Sequence, residues 1–317
     1  MDVSSIIKLI GRGREGARSI DRASAAQLFT ELLEGSVPDL ELGALLLAWR
    51  IKGESVDELA GFLQATHRQL GLIDCGPAQP IDGGGPAHTR AVVIPSYNGA
   101  RRLPNRVAWL ACALRDRGIP VLVHGVRTDP ARVTTAQVLS ELGSPPCESI
   151  TEASDRLARE RLAFVPLDVL CAGLDRLLQL RWRLGVRHCA HTVAKMLQPL
   201  KQPALHLLSV THPEYLRAMR DYYAAYPAQV LLMRGTEGEP IAHPYRAQAI
   251  EWLHEGRVDT LIAAATDSAP GPPEPPGQIT AHDTAAWVRQ ALAGTSTVPA
   301  PLRAQLEAIV SLRNRDQ

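Results

Sequence analysis

The sequence predicts an α/β protein: a small all-helical domain plus a larger α/β domain with a mainly parallel sheet. Three features lead there. The first seventy residues place apolar side chains at helical spacing, and from residue 91 short apolar runs alternate with helix-period segments. A long helical stretch then resumes in mid-chain, at "LDVLCAGLDRLLQLRWRLG", before strands return. With 317 residues, 45% of them apolar and 21% charged, the chain can bury a sizeable core in one large domain or two.

Each element has its own signal. "DRASAAQLFTELLEGS" reads as a helix stopped by Gly35, and "DLELGALLLAWRIKG" as one stopped by Gly53. "ESVDELAGFLQATHRQL" opens with Ser55 and Glu58 at capping-box spacing, which satisfies two orphan N–H donors. "IDCGPAQP" supplies turn residues near Leu72. Beyond it, "AVVIPSY", "IPVLVHG", "LAFVP", "ALHLLSV", "AQVLLMRG" and "TLIAAAT" read as strands. "RVAWLACALRDRG", closed by Gly118, and "TTAQVLSELG" read as the helices between the first of them. "APGPPEPPG" (269–277) reads as an exposed loop, and "DTAAWVRQALAG" and "APLRAQLEAIVSLRNR" as the closing helices.

Composition narrows the function classes. No run of 18 apolar residues exists and the first residues are charged throughout, so neither a signal peptide nor a membrane span is expected. Five cysteines (Cys75, Cys112, Cys147, Cys171, Cys189) lie scattered with no CxxC pair, which reads as reduced thiols in the cytoplasm rather than a disulfide frame or zinc site. His188 and His191 have helical spacing but no HExxH pattern and no nearby acid, so hydrogen-bonded structural histidines are expected, with no metal. Net charge is only +1, yet its distribution is uneven. Arg176, Arg181, Arg183, Arg187, Lys195 and Lys201 fall in one window without an acid, and Arg90, Arg101, Arg102, Arg106 and Arg115 in another. Either compensating acids lie nearby in space, or these residues form a basic groove for phosphates. Arg176, Arg183 and Arg187 are spaced to share one helix face, with Trp182 expected in the core.

"AWRIKGESVDELAGF", "VLVHGVRT" and "WRLGVRHCAH" resemble segments of the anthranilate phosphoribosyltransferase and nucleoside phosphorylase superfamily (glycosyl transferase family 3 type). "PSYNGAR", "VLVHG", "LGVR…AHT" and "RGTEGEP" resemble its YbiB-like branch, which implies DNA binding. The resemblance implies a helical domain of residues 1–72 completed by about 165–198, an α/β domain of 73–164 and 199–317, a cleft between them, and homodimers through the helical domain.

It also implies a cleft stripped of most catalytic parts. A phosphate loop of the family corresponds to Gly83, Gly84 and Gly85, followed by Pro86, which removes a donor, and Ala87 instead of an acid. The family's motif lysine corresponds to Val123, although His124, Gly125 and Arg127 remain. Its phosphate-binding hydroxyls fall at "LPNR", where Asn105 can still cap, and its magnesium-holding acids fall at Glu239 and Pro240, with Glu237 a second remnant. Arg127 and Arg132, either side of the Asp129-Pro130 turn, are placed to face a phosphate. Phosphoribosyl transfer needs the leaving pyrophosphate's charge neutralised, and one lost electrostatic contact costs about 3 kcal/mol. The expectation is therefore a cytoplasmic, dimeric protein that binds DNA or another nucleic acid without a cofactor. The alternative is a phosphoribosyltransferase or nucleoside-type glycosyltransferase using magnesium, with Gly83–Gly85, His124, Arg127, Arg181 and Glu239 as its cleft. A structural dimer that presents the cleft to a protein partner is a third.

Overall fold

A computed structural model describes residues 2–76, 90–246, 248–265 and 279–312. Gly83, Gly84, Gly85 and the proline-rich 269–277 stretch lie outside the described residues.

The chain opens with helices α1 (Val3–Ile10), α2 (Gly13–Gly16), α3 (Arg22–Glu34), α4 (Asp39–Lys52) and α5 (Val56–Gln69). Asp21 starts α3 by accepting the N–H groups of Ala23 and Ser24, and Gly35 stops it in a left-handed conformation. The expected capping box on α5 is present: Glu58 donates its N–H to Ser55 Oγ (3.2 Å) and accepts the Ser55 N–H (2.8 Å). Glu58 also accepts from Trp49 Nε1 (3.1 Å) and pairs with Lys52 Nζ (2.6 Å) while fully buried. Helices α3 and α5 cross closely because Gly61 has no side chain; a Cβ there would come within 2.5 Å of the Arg22 carbonyl oxygen.

Strand and helix then alternate: β1 (Ala91–Ser96), α6 (Val107–Arg115), β2 (Val121–Gly125), α7 (Thr135–Glu141), α8 (Ile150–Glu160) and β3 (Leu162–Pro166). Short helices α9 (Leu167–Leu170), α10 (Ala172–Gln179), α11 (Arg181–Leu184) and α12 (Cys189–Lys195) follow. The long mid-chain helix expected over this stretch is broken, at Cys171, at Leu180 and at Gly185, which is left-handed. Arg187 therefore lies beyond the helix that carries Arg183, and the two do not share its face. Trp182, expected in the core, is 52% exposed. The chain closes with β4 (Ala204–Val210), α13 (Pro213–Ala225), β5 (Val230–Arg234), β6 (Ile250–His254), β7 (Arg257–Ile262), α14 (Ala281–Leu292) and α15 (Ala300–Leu312).

Two compact units result, one of residues Met1–Gly71 with Leu167–Pro199 and one of Leu72–Pro166 with Leu200–Gln317. In the first, Phe29, Trp49 and Phe62 form the aromatic centre, with Phe29 and Phe62 stacked at 4.6 Å. In the second, seven strands run in the order β3-β2-β1-β4-β5-β6-β7. The first five are parallel and β1 to β4 are buried along their whole length, as helices on both faces require. The last two are antiparallel, so the sheet is mixed. Strand β7 begins three residues before the run expected to form it, and its partner β6 carried too little apolar alternation to be read.

Candidate functional site

In open α/β sheets ligands bind outside the carboxyl ends of the strands, where the strand order reverses. Here that point lies between β1 and β4, since β2 and β3 extend to one side of β1 while β4 and β5 extend to the other. The loop leaving β1, residues 97–106, covers this edge. Ala100 exchanges two backbone hydrogen bonds with Val133 (both 2.9 Å) and anchors the loop to the segment before α7. Deeper, Ser96 Oγ and Thr135 Oγ1 lie 2.7 Å apart, and Thr135 Oγ1 donates to Asn105 Oδ1 (3.3 Å). Asn105 donates to the Val133 carbonyl (3.0 Å) and accepts the Val107 N–H (3.3 Å) from the position before Arg106, which is the N-cap residue of α6 and caps it with no side-chain hydrogen bond. His124 is fully buried, with Nδ1 2.7 Å from Tyr97 Oη, and a side chain at Gly125 would strike the Ser96 carbonyl.

The turn after β5 presents two carboxylates to the same loop. Glu239 Oε1 accepts the N–H groups of Asn98 (2.7 Å) and Gly99 (2.6 Å), at 1% exposure. Glu237 accepts those of Arg101 (3.1 Å), Arg102 (2.7 Å) and Leu103 (2.9 Å), and lies 3.7 Å from Arg132 Nη1. Gly238 between them has φ 90° and sits so close under Asn98 that a Cβ would come 1.9 Å from its amide nitrogen. The sequence marked both glutamates as remnants. Their partners escaped it, because main-chain donors carry no residue signature.

The superfamily resemblance implies magnesium at this edge. The residues present do not fit it: both oxygens of Glu237 and Oε1 of Glu239 are taken by main-chain amides, and the one oxygen left without a hydrogen bond to the described residues, Glu239 Oε2, does not make a magnesium site by itself. Among the described residues no group of three or more His, Cys, Asp or Glu is placed to hold a metal ion.

The basic residues are dispersed. In the α/β unit Arg101 and Arg102 are exposed, but Arg106 is buried with its guanidinium 5.0 Å from the centre of the Trp287 ring. Arg127 makes a bidentate pair with Glu148 (2.7 and 2.8 Å), and Lys201 lies 3.6 Å from Asp74. In the helical unit Arg176 donates to the carbonyls of Leu32 and Leu33, satisfying the end of α3. Arg183 pairs with Asp39 (3.2 Å), and Arg181 lies over the Trp182 ring at 4.0 Å. Arg187 and Lys195 are half-buried. Two of the compensating acids considered for the basic windows are thus Asp39 and Asp74.

Burial sets the titration of the remaining candidates. It pushes His188 down to about 4, and pushes His191 well down with help from the neighbouring His188 ring and from the cations Arg187 and Arg181. The two rings meet edge to face at 4.8 Å. The thiols of Cys112 and Cys147 are pushed up to about 11, again by burial, which makes both poor nucleophiles. No helix among the described residues is long and apolar enough to cross a membrane.

Residues 4–69 match the helical bundle domain of the glycosyl transferase family. YbiB of Escherichia coli (strain K12) is 37% identical over 311 residues, covering 96% of this chain and 92% of that protein. An anthranilate phosphoribosyltransferase of Methylocella silvestris is 29% identical over 238 residues, 73% of this chain and 62% of its own. The solved anthranilate phosphoribosyltransferase of Saccharomyces cerevisiae, in complex with PRPP and Mg, shares the fold at TM-score 0.70 and 13% identity, over 99% of this chain and 89% of that one. A relative so similar along nearly the whole of both chains shows the family: the chain belongs with Escherichia coli YbiB, on an anthranilate phosphoribosyltransferase-like fold with a glycosyl transferase helical bundle.

Proposed function

We propose that the chain is a phosphoribosyltransferase-like protein that takes a phosphorylated ligand of the phosphoribosyl pyrophosphate class at the carboxyl edge of its parallel sheet. The observation that carries this reading is the row of five main-chain N–H groups, on Asn98, Gly99, Arg101, Arg102 and Leu103, that point at anionic oxygens where such sheets bind ligands. The likeness to phosphoribosyltransferases in sequence and fold supports the ligand class. Val123, Asn105 and a Glu237 whose two oxygens are taken by main-chain amides separate the chain from magnesium-assisted transfer, so binding is expected without the metal. Titration of the protein with phosphoribosyl pyrophosphate, with and without magnesium, should give a saturable heat and a rise in melting temperature in both series. No response in either at millimolar ligand would remove this reading.

A second reading, sequence-independent binding of DNA or another nucleic acid, is favoured by one feature of the helical unit. Trp182 is half-exposed under the Arg181 guanidinium, with Arg183 and Arg187 following in the same short stretch. An exposed aromatic ring beside cations suits stacked bases and backbone phosphates. The pair that Arg183 makes with Asp39 is exposed on both sides and therefore weak. The same reading includes a second copy of the chain on the α4 face, which would bring two such stretches together. Anisotropy of labelled single- and double-stranded DNA across a salt series tests it. Affinity should fall steeply with salt, and Arg183→Glu with Arg187→Glu should weaken binding to all sequences alike. Unchanged affinity in that double variant would move any nucleic-acid surface elsewhere.

A further inference from the structure

We propose that Glu237 is a built-in stand-in for an anion, and that a pyrophosphate or phosphate group displaces it from the amides of Arg101, Arg102 and Leu103. The inference rests on the reading that this edge takes a phosphorylated ligand, and it names the group of the chain that such a ligand must move.

Four observations carry it. First, three consecutive main-chain N–H groups converge on one carboxylate at 2.7 to 3.1 Å, which is the geometry by which backbone nests bind phosphate oxygens. Arg132 Nη1 lies 3.7 Å from the same carboxylate, and two of the three amides belong to the exposed cations Arg101 and Arg102. A group of charge about −2 gains more from these cations than a carboxylate of charge −1.

Second, the two glutamates are not equivalent. Glu239 is 1% exposed and holds the deep amides of Asn98 and Gly99, whereas the Glu237 side chain is 14% exposed and holds the outer ones. The inner carboxylate keeps the loop in place while the outer one leaves.

Third, Glu237 has φ 53°, in the left-handed region that disfavours a residue with a side chain, and Gly238 follows at φ 90°. The backbone is held in a costly conformation that release would relax, next to a residue free to rotate.

Fourth, Asn98 Nδ2, buried against Gly238, makes no hydrogen bond to the described residues. Buried polar atoms are ordinarily satisfied, so a buried amide donor with no partner among the described residues suits an acceptor such as a phosphate oxygen.

The experiment uses the full chain and inorganic pyrophosphate as the probe, with sodium chloride matched for ionic strength. Calorimetry on the wild type, Glu237→Ala and Glu237→Gln should show tighter binding in the variants, on the order of tenfold, because the internal competitor is gone. Adding Arg132→Ala to Glu237→Ala should abolish the gain. Equal affinity in all three proteins, each folded by circular dichroism, overturns the proposal. Should both substitutions unfold the chain, hydrogen exchange on the wild type decides. Saturating pyrophosphate should speed exchange in residues 235–241 while amides 101–103 stay protected, and unchanged exchange in both segments overturns it. If the wild type and Glu237→Ala bind phosphoribosyl pyrophosphate equally well, this inference falls and the proposed function stands. Gained pyrophosphate binding in the variant, with none of phosphoribosyl pyrophosphate in either protein, leaves the inference and removes the function.

Discussion

Glu58 shows how much one side chain can do after its sequence signal has been read. The spacing from Ser55 to Glu58 announces a capping box, and the box is there. The same carboxylate is fully buried among Trp49, Lys52 and Ile20, and accepts an indole N–H and a second backbone N–H besides its cap. Truncating one partner of a buried pair leaves the other uncompensated, at about 3–5 kcal/mol. Glu58→Ala is therefore expected to lower unfolding stability by that order, measured in urea. A loss under about 1 kcal/mol, typical of a cap alone, would mean that the buried contacts contribute little. Glu239 and Arg176 carry the same lesson at other positions: each was legible as a charged residue, but neither its main-chain partners nor its burial was.

At the scale of elements, periodicity located β1 to β5 and the helices around them, because strands buried on both faces must be apolar throughout. It missed α8 and α13, whose exposed faces interrupt the apolar pattern, although Ser149 accepts the Glu152 N–H as an N-cap and Pro213 opens α13. It joined α9, α10 and α11 into one helix, since no proline separates them and the breaks follow from packing. Helix α4 presents a further feature that spacing alone leaves undecided. Leu40 is 82% exposed and Ile51 66%, with Leu47 between them on the same side and Leu184 of α11 near Gly43. An apolar stripe of this kind is expected to be covered, here by the second copy proposed above. Sedimentation of the wild type should then give a dimer, and Leu40→Lys with Ile51→Lys a monomer of unchanged circular dichroism. A wild-type monomer at tens of micromolar would exclude this face as an interface.

For the whole molecule, buried ionisable groups set the response to pH. His188 and His191 are held neutral by burial, so the unfolded chain binds their protons from about pH 6.5 downward, while the native chain takes up that of His188 only at about 4 and holds His191 neutral well below its ordinary range. Glu54 works against them. Burial, with the nearby negative Glu58, pushes it up to about 7, so between pH 4.5 and 7 the native chain keeps a proton that the unfolded chain releases. Two histidines outweigh one glutamate, so stability should fall as pH drops from 6.5 toward 4.5, by about 1.4 kcal/mol per pH unit for each net proton. Urea midpoints at pH 7 and pH 5 measure this directly. Glu54→Gln removes the opposing group and should make the drop larger. The same midpoint at both pH values would contradict the assignment of buried, neutral histidines.

The sequence by itself determined the class of fold and the location of most of its elements, because apolar periodicity and caps are local and each residue carries its own part of the signal. Its resemblance to the superfamily also led to the expectation that the enzyme-type motifs are altered, at Val123, Pro86 and Pro240. The tertiary structure decided what became of the residues left behind. Only folding brings Glu237 and Glu239 to the amides of Asn98 to Leu103, more than 130 positions away. Only folding shows Arg176 at the end of α3, Arg106 under Trp287 and Asp39 beside Arg183. The reason is physical: main-chain donors look alike in every sequence, and the sign of a surface depends on charges gathered from distant segments.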